Sequence, residues 1–193
     1  MKFVNFTNDD RPANEKIGRI GRGIARCQRC ERSRTRIHSV PGEGRIDTGR
    51  LFIGEAPGKK EDGIGRPFVG RAGTYLDKVL EEKGVARRNI FITSILKCYH
   101  PRQPQKKQIQ SCISWTREQI DVIGPKAVLV MGLTAAQALF CLEDLKHAPR
   151  MLKLEGVPCV VTCHPAAAMR FPERDRQFRQ GFEMFLDLCK KSS

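Results

Sequence analysis

The sequence predicts a three-layer α/β/α domain built on a central four-stranded parallel sheet. Two observations predict it: short, unbroken apolar runs recur along the chain, and a segment with helical periodicity separates each from the next. RLFIGEA, NIFITSIL, KAVLVMG and VPCVVTC are the four runs, too short for helices and too uniformly apolar for strands with one wet face. Between them TYLDKVLEEKG reads as a helix ending on Gly84, KQIQSCISWTREQIDVIG as one closed by Gly124, and TAAQALFCL as one opening after Thr134. RQFRQGFEMFLDLCKK supplies a terminal helix. Upstream, Ile17, Ile20, Ile24 and Cys27 recur at helical spacing within EKIGRIGRGIARC.

The chain of 193 residues is 40% hydrophobic, enough for one domain spanning residues 1–193 with a core of its own. Its most basic part is an N-terminal segment, about residues 1–48. The start MKFVNFTNDD has no basic stretch followed by an apolar one, and no apolar run approaches the roughly 18 residues of a membrane span, so a soluble, cytoplasmic protein is expected. With 35 Lys and Arg against 21 Asp and Glu the net charge is +14, and such a surplus attracts polyanions, nucleic acid first among them. In a reducing compartment, eight cysteines are metal ligands or buried thiols rather than a disulfide framework.

Ligands of parallel sheets bind beyond the carboxyl ends of the strands. There the chain carries GEAPGKKEDGIGRPFVGRAG, SILKCYHP, GLTA and CHPAAAMRF. The long first loop is rich in Gly and Pro but lacks GK[ST], so triphosphate hydrolysis is unsupported. Cys27 and Cys30 form a C-x2-C pair, and Cys98 and Cys112 lie further on with thirteen residues between them. Four thiolates suit tetrahedral zinc or a [4Fe–4S] cluster, and spacing does not choose. Cys141, Cys159, Cys163 and Cys189 fall on apolar faces and are expected to behave as small hydrophobes.

Taken together, GEAPGKKEDGIGRPFVGRAG, the SILKC cysteine, Cys112 and HPAAAMR resemble the iron–sulfur, family-four uracil-DNA glycosylases, in the family's order from about Cys27 to the C-terminus. The resemblance implies a uracil-DNA glycosylase-like fold. It also implies a [4Fe–4S] cluster on Cys27, Cys30, Cys98 and Cys112, a structural staple tying on the basic N-terminal segment. The implied activity is that of a monomeric, monofunctional DNA repair enzyme, which flips uracil from single- or double-stranded DNA and hydrolyses the N-glycosidic bond to leave an abasic site.

Site residues follow from the same likeness. Phe68 matches the aromatic that stacks on the base; the Ala56 N–H and the Glu55 side chain match the pocket lining. His164 matches the donor to the oxyanion that develops on the departing pyrimidine. Some related glycosylases have a water-activating aspartate where this chain has Ala56, so another carboxylate is needed: Asp77 is the first candidate and Glu55 the second. Met169 and Arg170 are expected to enter the space left by the flipped nucleotide, and Lys59, Arg66, Arg71 and Lys97 to contact phosphates. Ser94 stands where many members have asparagine; a rotating hydroxyl discriminates bases less sharply than a fixed amide, so hypoxanthine or xanthine become further candidate substrates. His100 is the nearest match to a histidine by which a neighbouring branch traps DNA covalently, but that branch's longer loop is missing. The rival classes are an iron–sulfur protein that binds a lesion without cleaving it and, more remotely, an electron carrier.

Overall fold

The structure, a computed structural model, describes residues 12–191. The elements are α1 (Ala13–Arg26), α2 (Arg32–Thr35), β1 (Arg50–Gly54), α3 (Lys59–Ile64), α4 (Arg71–Glu82), β2 (Phe91–Ser94), α5 (Lys106–Ile123), β3 (Ala127–Met131), α6 (Leu133–Phe140), β4 (Arg150–Leu154), β5 (Val157–Thr162), α7 (Pro165–Ala168) and α8 (Pro172–Lys191). All four expected strands are present and parallel, in the spatial order β2-β1-β3-β5, and β4 adds an antiparallel fifth at the edge. Helices cover both faces. Phe52, Leu129 and Val160 pack with residues of α4 and α8, while Leu51, Ile53, Val128 and Val161 pack with residues of α5 and α6.

β4 escapes sequence reading because it is only half buried: RMLKL alternates partly covered and exposed residues instead of forming an apolar run. It pairs with β5 across a two-residue turn, Glu155–Gly156, whose φ values of 52° and 90° are those a tight hairpin needs. The charged Lys153 on this outer strand discourages edge-to-edge pairing.

At the sheet's other edge the N-terminal segment covers β2. Glu43 and Ile92 exchange backbone hydrogen bonds of 3.0 and 2.8 Å, and the Val40 N–H donates to the Lys97 carbonyl at 2.8 Å. Gly44 makes the approach possible: its φ is +121°, and a Cβ there would stand 1.9 Å from the Ile90 carbonyl oxygen. α1 buries Ile20 and Ile24. Residues 1–11 of the expected basic segment lie outside the described residues.

Candidate active site

The first strand ends on Gly54, and the side chain it lacks is what opens the site. A Cβ there would lie 2.7 Å from the Phe68 ring and 3.4 Å from the Ser94 hydroxyl. With no Cβ present, the Phe68 ring rests over the strand end. Its backbone is strained, with φ at +50°, a conformation costly for an aromatic residue unless the surroundings hold it. The holding group is Glu61, a buried residue of α3 whose Oε1 accepts the N–H groups of Val69 at 2.9 Å and Gly70 at 2.7 Å. The short helix hidden inside the Gly-rich loop thus fixes the turn that presents Phe68.

His164 leaves the end of β5 as the N-cap of α7. Its Nδ1 accepts the Ala166 N–H at 3.1 Å, so the neutral ring carries its proton on Nε2, the donor that remains to it. Burial pushes the His164 pKa below the usual imidazole value, with the charges of Glu55 and Glu61 opposing the shift. The imidazole stacks on Phe68, centroids 5.7 Å apart and planes inclined by 25°. Both rings line a cavity of about 270 Å³ with Ala56, Glu61, Arg71 and Ser94.

Two expectations fail here. Asp77 is exposed, lies outside the cavity and pairs with Arg87 at 2.7 Å; six residues beyond Arg71, it stands about 9 Å further along α4. Lys97 touches no solvent-facing groove. It is 1% exposed, and its ammonium donates to the Thr93 hydroxyl, the Ser94 carbonyl and Gln119 Oε1, each at 2.7 Å. Burial draws its pKa down to about 7. The apolar run SILK did not reveal this because a lysine at a strand end usually reaches water, whereas Thr93, Thr116 and Gln119 form a buried polar nest around this one. Glu55 is beside the cavity but not in its lining, and its Oε2 accepts the Thr134 hydroxyl at 2.5 Å.

A profile of the Uracil DNA glycosylase superfamily matches residues 41–186. The chain is 36% identical to the Type-4 uracil-DNA glycosylase of Pyrobaculum aerophilum over 84% of its own length and 89% of the relative's. It is 32% identical to that of Archaeoglobus fulgidus over 92% and 95%. To that of Sulfurisphaera tokodaii it is 31% identical over 91% and 86%. The chain belongs to the uracil DNA glycosylase superfamily.

Around the cavity of this superfamily member, the expected DNA-facing residues are unequal. Lys59, Arg71 and Arg170 are exposed, and Arg71 also lines the cavity. Arg66 is exposed but engaged in a two-pronged bond with Glu43, at 2.7 and 3.1 Å. Met169 is half buried, whereas the neighbouring Phe171, which the sequence reading passed over, is 52% exposed. Its signal was Pro172: a proline opening α8 leaves the residue before it outside the helix's apolar stripe. Glu61 was missed because GKKEDG reads as loop, although Gly58 and Gly70 on either side of it in the chain leave the room its carboxylate occupies.

The four expected ligand cysteines occupy a shell between α1, α2 and α5. Cys98 and Cys112 are buried, Cys27 and Cys30 half buried. Their charges act on one another: those of Cys30 and Cys27 bear on Cys98, and those of Cys98 and Cys30 on Cys112. Burial raises the Cys98 pKa and pushes that of Cys112 up to about 11. Arg36 Nη1 donates to Cys98 Sγ at 3.0 Å, and the guanidinium of Arg32, 1% exposed, feels Cys30, Cys98 and Cys112. Trp115, packed on Gly23 and under Arg29, holds the one buried side-chain nitrogen or oxygen without a hydrogen-bond partner among the described residues. Cys159, Cys163 and Cys189 are buried as expected of small hydrophobes, but Cys141 caps α6 in an exposed left-handed turn.

Proposed function

We propose that the chain is a monofunctional uracil-DNA glycosylase, which draws a deaminated base out of DNA into the cavity and hydrolyses its N-glycosidic bond, leaving an abasic site. The observation that carries this reading is the pairing of Phe68 with a neutral His164. A base lying on the Phe68 ring comes next to Nε2–H, and that donor stabilises the negative charge the base acquires as its bond to C1′ breaks. The Ala56 backbone and the Ser94 hydroxyl line the same cavity and face the base edge. Because a hydroxyl both donates and accepts, hypoxanthine and xanthine belong to the substrates to be tried. Lys59 and Arg71 hold the phosphates, and Met169 and Arg170, with the exposed Phe171 beside them, fill the gap left by the flipped nucleotide.

The same reading places a [4Fe–4S] cluster on Cys27, Cys30, Cys98 and Cys112. The spacing of the four cysteines would serve tetrahedral zinc as well; what favours the cluster is the likeness to the Type-4 uracil-DNA glycosylases, read as carrying a cubane. Its negative charge suits the buried Arg32, the Arg36–Cys98 bond and the unpartnered Trp115 N–H. When bound it supplies four iron–thiolate bonds that cross-link α1, the loop after β2 and α5; hydrolysis asks no electron of it.

The protein works as a monomer on cytoplasmic DNA; among the described residues no helix is long and apolar enough to cross a membrane. End-labelled oligonucleotides carrying uracil, hypoxanthine or xanthine, incubated with the protein and then treated with alkali, test the reading. Strand cleavage at uracil is expected, with weaker cleavage at the other bases. Binding of the uracil oligonucleotide without any cleavage overturns it in favour of a lesion-binding protein.

A further inference from the structure

Hydrolysis needs a group to orient water, and neither of the two expected carboxylates lines the cavity. Asp77 pairs with Arg87 outside it, and Glu55 stands beside it with Oε2 accepting the Thr134 hydroxyl. Among the described residues, Glu61 is the carboxylate that lines the cavity, with His164 and Phe68 in the same wall.

The two oxygens of Glu61 have different surroundings. Oε1 is occupied by the N–H groups of Val69 and Gly70. Oε2 lies against Gly58, where a Cβ would come within 2.6 Å of it, and Gly70, where a Cβ would stand 3.4 Å away. Both glycines line the cavity. A carboxylate oxygen only accepts, so Oε2 is left as an acceptor for a group entering the cavity. We propose that Glu61 divides its labour: Oε1 pins the turn that carries Phe68, and Oε2 orients the attacking water and takes its proton.

This rests on the glycosylase reading. The water oxygen bonds to C1′ as the C1′–N bond breaks; the bonding pair leaves with the base, beside His164 Nε2–H, and the water's proton passes to Oε2. The fixed negative charge also favours the positive character that builds on the sugar ring before the water bond is complete. A mere pin would need only an oxygen that accepts two N–H groups, which an amide provides equally well.

That difference makes the proposal testable. Glu61→Gln keeps an acceptor for Val69 and Gly70 but removes the charge and the proton acceptor; Glu61→Asp keeps the charge and withdraws it by one methylene. Single-turnover cleavage of a uracil oligonucleotide, measured beside its equilibrium binding, is expected to fall about a hundredfold or more in Glu61→Gln, as loss of a general base does, with binding changed less than twofold. Glu61→Asp is expected to cleave faster than Glu61→Gln. Wild-type rate in Glu61→Gln, or a Glu61→Asp slower than Glu61→Gln, overturns the proposal and leaves Glu61 as a pin. Failure of the wild-type protein to cleave uracil DNA is a separate result, and it defeats the glycosylase reading itself.

Discussion

The wall of the cavity is held by the protein's own bonds, whereas the region of the four cysteines keeps one buried N–H, that of Trp115, without a partner among the described residues. Around the cavity, Glu61 accepts two backbone N–H groups, His164 Nδ1 accepts Ala166, and Lys97 anchors the backbone of Ser94 through a closed buried network. On α5, three residues from Cys112, the Trp115 N–H is buried and unpartnered among the described residues, and the thiols of Cys98 and Cys112 are pushed away from the thiolate form by burial. Preorganised walls suit a site that must receive charge only in a transition state. A buried donor without a protein partner suits a region where the proposed cluster would bind as the chain folds.

The largest expected effect breaks the shell and not the cavity. Cys98→Ala is expected to reduce the iron content from about four per chain, the number a cubane requires, to near zero, and to lower the melting temperature with it. Trp115, the chain's single tryptophan, lies three residues from Cys112 on α5 and should brighten as the cluster is lost. Cys141→Ala, at an exposed helix end remote from this logic, is the control and should retain its iron. Zinc in place of iron after anaerobic purification would refute the cluster.

Next comes the cavity. His164→Ala should slow single-turnover cleavage about a hundredfold, as loss of one oxyanion donor does, while leaving DNA binding little changed. The pH dependence carries a sign. Neutral imidazole is the form that accepts Ala166 and donates from Nε2, and burial lowers its pKa, so the neutral form persists below the ordinary value of about 6.5. On the His164 account the rate therefore stays level as pH falls through that value and drops only at lower pH. A wild-type rate that already halves at pH 6.5 and is insensitive to pH in His164→Ala would show an unshifted imidazole and defeat this account.

The two regions were unequally legible in the sequence. The four parallel strands announced themselves because both their faces are covered, while half-buried β4 gave no apolar run. Phe68 and His164 could be picked out because the segments after β1 and β5 that carry them, at the carboxyl edge of the sheet, resemble those of a known family; both line the cavity. What sequence could not supply was direction. Glu55, Glu61 and Asp77 are three carboxylates near one loop, and only the course of α3 and α4 decides that the second enters the cavity. Lys97 and Arg71 are two cations near one strand end, and only tertiary packing buries the first. The cysteines were visible as a pattern, but the orphaned indole and the buried Arg32 that mark their shell belong to helices brought together from distant parts of the chain.

The smallest expected effect separates those two cations. Removing one phosphate-binding cation from a protein–DNA interface lowers the slope of log affinity against log salt by about 0.9 on duplex DNA, or about 0.7 on a single strand. Arg71, exposed at the cavity mouth, is expected to be such a cation, so Arg71→Ala should weaken binding several-fold and flatten the slope by about that unit. Lys97 is not. Replacing it by methionine leaves the slope as it was, because the ammonium never meets a phosphate, but takes one donor from each of Gln119 Oε1 and the Ser94 carbonyl, leaving them the Thr93 and Thr116 hydroxyls, at a cost of about 1 kcal/mol in folding stability. Salt titrations of binding and denaturant melts on the two variants measure both quantities. If Lys97→Met flattens the salt slope as much as Arg71→Ala does, then the network around Ser94 opens to the DNA, and the contrast between a closed cavity wall and the cysteine region fails at its firmest point.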